Sequence, residues 1–298
     1  MAERKLNLDI AGAVSELEML MQKVLPRNIM WRIIWGRGLE FDGYRDYTAS
    51  DDAVDIDWKA SVRSDRTLVR KYIEERDLKF LFFIDVSDNM VFGSTEKVKC
   101  EYCAELVAAL SHLILTSGDR VGFVLFNDKV VRVVMPKLGK KQFDILVYEL
   151  SDPLVYGGSS DLNNVLGNFI KDLDKSISIV FLVSDFVNLD EGYKKNLEIL
   201  GSLVETVAII VRDPLDNSLP ELDKEIIVGA EGRNLLINPK IAKNAYEKNA
   251  GEQLGLVKEI FEDYGIDFLE LSTAESFSGG VAGFFKERIK KGRMVKKG

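Results

Sequence analysis

The chain has 298 residues, of which 46% are hydrophobic and 30% are charged, which is typical of a globular protein able to bury a substantial core. Its formal net charge of -8 disfavours nucleic acid as a partner, because an acidic surface repels phosphate. No window approaches the about 18 consecutive apolar residues of a membrane span, and the acidic residues near the N-terminus are atypical of a signal peptide. We therefore expect a cytoplasmic protein without a membrane span.

The first segment, residues 1–30, is predicted to form an amphipathic helix. Ile10, Val14, Leu17 and Met21 are spaced so that they share one helix face over residues 8–25, and we expect this face to pack on the rest of the chain. Residues 31–78 are dense in charge of both signs and show little periodicity before an alternating stretch at 67–75. We expect them to form a small irregular or β module.

From residue 79 the pattern changes to apolar strands that alternate with helices. Near-continuous apolar strands indicate a parallel sheet covered by helices on both faces. The sequence therefore predicts an α/β, doubly wound, mainly parallel, Rossmann-like domain over 79–275, followed by a helix and a basic tail over 276–298. A predicted hairpin at 120–135 adds one antiparallel edge strand. The strands are predicted at 80–85, 120–126, 129–135, 176–184, 205–211, 225–229, 234–237 and 267–271, and the helices at 97–116, 140–149, 161–173, 193–203, 251–264 and 277–290.

Three polar loops follow these elements, at the sheet edge where open parallel sheets bind ligands. Asp85, Ser87 and Asn89 alternate after the first core strand, and all three carry oxygen donors. Ser160 follows a glycine pair, and Asp185 follows the strand at 176–184. Oxygen ligands select a hard ion such as Mg²⁺, Mn²⁺ or Ca²⁺. Few carboxylates would leave the ion a free position for an acidic group of a protein partner.

This set resembles the metal-ion-dependent adhesion site of von Willebrand factor A domains. That pattern is Asp-x-Ser-x-Ser, then a Thr, then an Asp, each on a separate loop. The resemblance implies a metal site at Asp85, Ser87, Asn89, Ser160 and Asp185. Asn89 replaces the second Ser, and Ser160, or less favourably Ser159, replaces the Thr.

A second resemblance lies in residues 41–76, which look like the hallmark block of the domain-of-unknown-function fifty-eight family. The matches are Arg45, Tyr47, Asp51, Asp52, Ile56, Asp57, Trp58, Ser61 and Arg63. We expect Asp57 and Trp58 to hold this module against the main domain through hydrogen bonds and buried apolar contact, with recognition of a partner as the alternative. The family resemblance implies cooperation with a MoxR-type AAA+ ATPase in the maturation or remodelling of other proteins. The sequence itself has no phosphate-binding motif for ATP.

The main hypothesis is therefore a non-enzymatic, metal-dependent protein-interaction module that works as an adaptor. The alternatives are a Mg²⁺-dependent hydrolase of phosphate esters, suggested by Asp85, Asp88, Asp161 and Asp185, and a scaffold whose metal site has decayed. The single histidine, His112, lies in a predicted helix and offers no Ser-His-Asp arrangement. Cys100 and Cys103 share a helix face, which favours burial over a redox pair, and no second pair completes a zinc site.

Overall fold

The computed structural model describes residues 6–24, 40–48, 56–64, 66–73, 78–189, 191–222, 224, 226–230 and 233–290. Asp51, Asp52 and the basic tail at 291–298 lie outside the described residues. The helices are α1 (Ile10–Val24), α2 (Trp58–Ser64), α3 (Lys99–Thr116), α4 (Lys140–Ser151), α5 (Leu162–Phe169), α6 (Lys194–Leu203), α7 (Pro214–Asn217), α8 (Pro239–Asp263) and α9 (Phe277–Lys290). The strands are β1 (Glu40–Asp46), β2 (Leu68–Ile73), β3 (Lys79–Asp85), β4 (Arg120–Phe126), β5 (Val130–Lys137), β6 (Ile179–Ser184), β7 (Glu205–Arg212), β8 (Ile226–Ala230), β9 (Arg233–Ile237) and β10 (Asp267–Ser272).

The main sheet has six strands in the order β10-β7-β6-β3-β4-β5. All neighbouring pairs are parallel except β4 and β5, so β5 is an antiparallel edge strand. The predicted doubly wound, mainly parallel sheet with one antiparallel edge is confirmed. Because β3 lies at the centre, the loop that follows it is flanked by the loops after β4 and β6.

Two apolar layers cover the sheet, one on each face. Alternate residues of β3 explain the division, since successive side chains of a strand point to opposite faces. Phe80 and Phe82 join the layer that contains α1, α3, α4 and α9. Leu81 and Phe83 join the layer that contains α5, α6 and α8. A strand buried on both faces has to be apolar throughout, which is the pattern that predicted this sheet.

The N-terminal helix α1 packs on the main domain, as the spacing of its apolar residues predicts. Ala13, Leu17 and Met21 are buried in the same layer as α3 and α9. The backbone amides of Asn7 and Asp9 donate to the carboxylates of Glu101 and Glu105 on α3. Polar contacts therefore add to the apolar packing at the start of this helix.

Three local differences from the sequence prediction have physical explanations. β1 pairs antiparallel with β2, and its charged sequence hides the strand because the side chains described from Tyr44 to Asp46 are exposed. α8 begins at Pro239, twelve residues before the predicted helix at 251, because Asn238 caps it and its first half has little apolar periodicity. α7, only four residues long, begins with Asp213 as its cap.

Candidate functional site

The carboxylate of Asp85 is the centre of the predicted site. It stands at the end of β3 and is 1% exposed. Its Oδ2 accepts hydrogen bonds from the hydroxyls of Ser184 at 2.7 Å and Ser160 at 3.1 Å, and its Oδ1 accepts from the Ser87 amide at 2.9 Å. The structure therefore brings one buried carboxylate together with polar groups from three loops.

Sheet register and loop contacts explain this convergence. Parallel pairing of Ile84 with Val183 puts the ends of β3 and β6 side by side, so Ser184 lies next to Asp85. The loop that carries Ser160 is tied to the first loop, because the Gly157 amide donates to the Val86 carbonyl and the Asp88 amide donates to the Gly158 carbonyl. These bonds hold Ser160 over the carboxylate.

Gly158 is required in the second loop for a steric reason as well. Its φ is +86°, in the left-handed region, and a Cβ there would lie 2.8 Å from the Nδ2 atom of Asn127. The same Asn127 amide donates to the Gly157 carbonyl at 2.8 Å. The glycine pair therefore lets the loop turn closely around Asn127 before α5 begins.

Ser87 supplies a fully buried hydroxyl for which the described residues offer no hydrogen-bond partner. Its side chain is 0% exposed, and its Oγ has no hydrogen-bond partner among the described residues. The Ser87 hydroxyl does lie near enough to Asp85 to lower the pKa of that carboxyl, although it does not complete a hydrogen bond. An unsatisfied buried hydroxyl costs free energy, so one beside a carboxylate fits a metal ligand.

The pKa of the Asp85 carboxyl is raised above its ordinary value. Burial is the largest cause, and the charge of Asp185 is the second. The hydrogen bonds from Ser87 and Ser184 act in the opposite direction. A carboxylate that is buried and repelled by a second carboxylate is stabilised by a cation close by.

The Asp185 carboxylate is held by partners within the chain. Its Oδ2 accepts from Lys99 Nζ at 2.7 Å, and its Oδ1 accepts from the Val187 amide at 3.1 Å. Phe186, the next residue, has a φ of 51°, which is rare for a residue other than glycine. Arg212 donates to the Asp185 carbonyl and Gln253 donates to the Phe186 carbonyl, so two side chains fix this turn.

The predicted site residues are brought together to different extents. Asp85, Ser87 and Ser160 lie together, and Asp185 lies close enough for its charge to raise the pKa of the Asp85 carboxyl. Asn89 lies half-buried in a short 3-10 helix, Asp88–Val91, and no hydrogen bond of the described residues joins its side chain to the others. The role of Asn89 as a metal ligand stays a prediction.

The four carboxylates behind the hydrolase alternative do not form one cluster. Asp161 caps α5 by accepting from the Asn164 amide, and Asp88 is exposed. Within the described ranges, no group of three or more His, Cys, Asp or Glu side chains is arranged to hold a metal. A metal here would therefore depend on hydroxyl ligands beside the Asp85 carboxylate.

The histidine and the cysteines donate none of the hydrogen bonds that the Asp85 carboxylate accepts from the described residues; we call Asp85 with Ser87, Ser160 and Ser184 the Asp85 cluster. His112 contacts Glu18 at 3.2 Å and packs edge-on against Phe143. Cys100 and Cys103 are free and buried, which confirms the predicted buried helix face. Burial raises the pKa of the Cys100 thiol to about 12 and that of Cys103 well above its ordinary value, so neither is a thiolate at neutral pH.

Comparison with known proteins identifies the family. The sequence profile of the family described as Protein of unknown function DUF58 matches residues 43–254, which is more than half of the chain. The chain belongs to this family. Two similar relatives are uncharacterized proteins of Mycobacterium tuberculosis and Mycobacterium bovis, each 23% identical over 286 residues, covering 94% of this chain and 90% of the relative.

Two solved structures illustrate what this DUF58 protein is similar to, and the second of them is a von Willebrand factor type A protein. The conserved hypothetical protein BatB from Bacteroides thetaiotaomicron is 12% identical with a TM-score of 0.47, covering 72% of this chain and 99% of that chain. A von Willebrand factor type A protein from Catenulispora acidiphila is 12% identical with a TM-score of 0.38, covering 77% of this chain and 45% of that chain.

The DUF58 hallmark block is only partly described, and one interpretation of it is wrong. Asp57 caps α2, since its Oδ1 accepts from the amides of Lys59 and Ala60, and its Oδ2 accepts from the Tyr44 hydroxyl. Trp58 is 66% exposed, so its ring does not supply the buried apolar contact that we expected. The block is therefore held by capping hydrogen bonds, and it presents its tryptophan on the surface.

Sequence reasoning did not assign four groups that contact the site. Ser184 directly precedes the predicted ligand Asp185 in the sequence, and this position indicates that it lies at the site. The fold brings Lys99, Arg212 and Asp216 to the Asp185 loop from distant parts of the sequence, so no local pattern indicates them.

No helix of the described residues is long and apolar enough to cross a membrane.

Proposed function

We propose that this protein is a non-enzymatic interaction module that binds a protein partner through a divalent metal ion. The observation that carries the proposal is the Asp85 cluster, in which the buried carboxylate accepts hydrogen bonds from the hydroxyls of Ser160 and Ser184, and the Ser87 hydroxyl has no hydrogen-bond partner among the described residues. All of its donors are oxygens, which fits Mg²⁺, Mn²⁺ or Ca²⁺. Asp85, Ser87 and Ser160 would hold the ion, with Asn89 and Asp185 as the remaining predicted members.

The bound ion would supply a coordination position for a carboxylate of the partner. The residues of this chain would orient the site: Ser160 and Ser184 direct Oδ2 of Asp85, and the Ser87 amide directs Oδ1. Catalysis by a hydroxyl nucleophile would need a base, and the single histidine is engaged by Glu18 and Phe143. Binding is therefore the function that these side chains support best.

The proposed partner is a MoxR-type AAA+ ATPase, with this chain acting as its adaptor in protein maturation or remodelling. This partner comes from the family resemblance of residues 41–76 and agrees with membership of DUF58. The adaptor role also agrees with the exposed Trp58, since an exposed aromatic side chain is typical of recognition surfaces.

The test measures binding of the purified chain to the MoxR-type ATPase of the native cell. We expect capture with Mg²⁺, loss of capture with EDTA, and a loss of at least about tenfold in affinity for Asp85→Ala and Asp85→Asn. Asp88→Ala is the matched control, because Asp88 is an exposed carboxylate in the same loop. Circular dichroism verifies that each variant is folded.

Equal capture by wild type with EDTA and by Asp85→Asn would contradict the metal-dependent function. Turnover of phosphate esters that depends on Mg²⁺ and on Asp85 would instead favour the hydrolase. Metal-free protein that captures the partner, together with calorimetry showing no uptake of Mg²⁺ or Mn²⁺, would favour the scaffold with a decayed site.

A further inference from the structure

Lys99 is a buried lysine at the edge of the Asp85 cluster. It is the first residue of α3, and it is 2% exposed. Its ammonium contacts Asp185 Oδ2 at 2.7 Å, and Asp216 at 3.2 Å to Oδ1 and 2.9 Å to Oδ2. The ring of Phe92 covers the ammonium, with its centroid 5.7 Å from Nζ. One cation therefore joins α3 to the loop that follows β6 and to the short helix α7 that follows β7.

This ammonium is charged and fixed in place. The carboxylates of Asp185 and Asp216 both form ion pairs with it, at 2.7 Å and 2.9 Å. Three protons of the ammonium face three carboxylate oxygens, so its hydrogen-bonding capacity is used within the chain. A buried lysine is rare without such pairing.

The charge of Lys99 opposes metal binding at the neighbouring site. A divalent ion is attracted by the carboxylates of Asp85 and Asp185, and the ammonium cancels the charge of one carboxylate. It also repels the ion directly, and this repulsion is weakly screened in a buried place. If Lys99 served only to connect α3 to its neighbours, an apolar side chain would serve as well, because a buried ion pair often stabilises a protein no more than apolar packing does.

We propose that Lys99 is a fixed internal cation that keeps the affinity of the Asp85 site for divalent metal low, so that firm metal binding depends on an acidic partner. This inference rests on the proposed metal-dependent function. A weakly held ion gains firm binding when the partner's carboxylate adds a negative ligand, because each ligand then raises the affinity for the other by the same factor. Lys99 thereby couples occupancy of the site to the presence of an acidic partner.

The test is the affinity of the full chain for Mn²⁺ and Mg²⁺, measured by calorimetry without partner. Lys99→Gln removes the charge and retains hydrogen-bonding atoms, and we expect Mn²⁺ to bind at least about tenfold more tightly. Asp216→Asn keeps Lys99 and removes one of its counter-charges, so we expect affinity at least about threefold lower. Tighter metal binding by Lys99→Gln together with weaker binding by Asp216→Asn would indicate an electrostatic effect, because damage to the fold would weaken binding in both variants.

Lys79→Gln is the matched control. It is the same substitution at the opposite end of β3, where Lys79 contacts Ser176 and Asp174. Six residues of extended strand put its backbone about 20 Å from that of Asp85, well beyond the screening length of about 10 Å at moderate salt. We expect its metal affinity to equal that of wild type.

The outcomes distinguish this inference from the proposed function. Unchanged or weaker metal binding by folded Lys99→Gln overturns the role of Lys99, and if Asp85→Asn abolishes wild-type binding the proposed function still stands. Unchanged affinity of Asp216→Asn also overturns it, which gives a result even where Lys99→Gln fails to fold. Absence of binding to both wild type and folded Lys99→Gln overturns both. Binding gained by Lys99→Gln and lost again on adding Asp85→Asn supports both.

Discussion

Replacing Ser87 with alanine should have different effects on stability without and with metal. The Ser87 hydroxyl is buried and has no hydrogen-bond partner in the described part of the chain. Its removal in EDTA should change the free energy of unfolding by no more than about 1 kcal/mol, because no complete hydrogen bond is lost. Ser184→Ala removes a 2.7 Å bond to the buried Asp85 and should cost about 1–3 kcal/mol.

Metal should then separate Ser87→Ala from wild type. An ion present at ten times its dissociation constant stabilises the folded state by about 1.4 kcal/mol. We expect wild type to gain this amount with MgCl₂ or MnCl₂ and Ser87→Ala to gain little of it, since a ligand has been removed. The assay is urea unfolding in EDTA and in metal, with NaCl added to equalise the ionic strength.

Ser111→Ala is the matched control for the Ser87 variant. Ser111 lies on α3, is also fully buried, and likewise has a hydroxyl without a partner among the described residues. We expect the same small change in EDTA and a metal response equal to that of wild type. A wild-type metal response in Ser87→Ala, or a loss above about 2 kcal/mol in EDTA, would refute the assignment of Ser87 as a ligand.

Two further measurements test the surroundings of the site. Burial would raise the pKa of the Asp213 carboxyl, but hydrogen bonds from Ser94, Leu215 and Thr273 lower this pKa below its ordinary value. The stabilising effect of Asp213 is therefore present above the pKa of the unfolded state and is lost as the pH falls through the folded value. Asp213→Asn should flatten the fall in stability below about pH 4, and an unaltered profile would contradict this. Alkylation of Cys100 and Cys103 by iodoacetamide at pH 8 should occur only on unfolding, and rapid labelling of the native protein would contradict the burial of both thiols.

The strands and loops of the main domain could be predicted because they depend on local pattern. A strand such as β3, buried on both faces, must be apolar along its whole length, and its polar continuation at Asp85 marks the ligand-binding edge. The exposed hairpin of β1 and β2 has no such requirement, so the charges of its sequence conceal it. The same reason explains the first half of α8, which extends from Pro239 beyond the apolar core.

The electrostatics of the site could not be predicted from local pattern. Lys99 and Asp185 are 86 residues apart, and a lysine at the start of a helix is far more often solvated than buried. Only the order β3-β6-β7 brings the start of α3 to the loop that carries Asp185 and to α7, which carries Asp216. Charge pairs of this kind follow from topology, and topology becomes available only after the strands are ordered.

The turn at Asp185 and Phe186 affects the free-energy cost of metal binding at the proposed site. The positive φ of Phe186 costs about 1–2 kcal/mol, and the turn persists because Arg212 and Gln253 bind its two carbonyls and each other. These contacts lie within the chain, so we expect the turn to form without a bound ion. Loop ordering would then contribute little to the cost of metal binding. The remaining determinant on this side of the site is charge: the ammonium of Lys99 binds the Asp185 carboxylate, and the guanidinium of Arg212 lies near enough to act on that carboxylate as well.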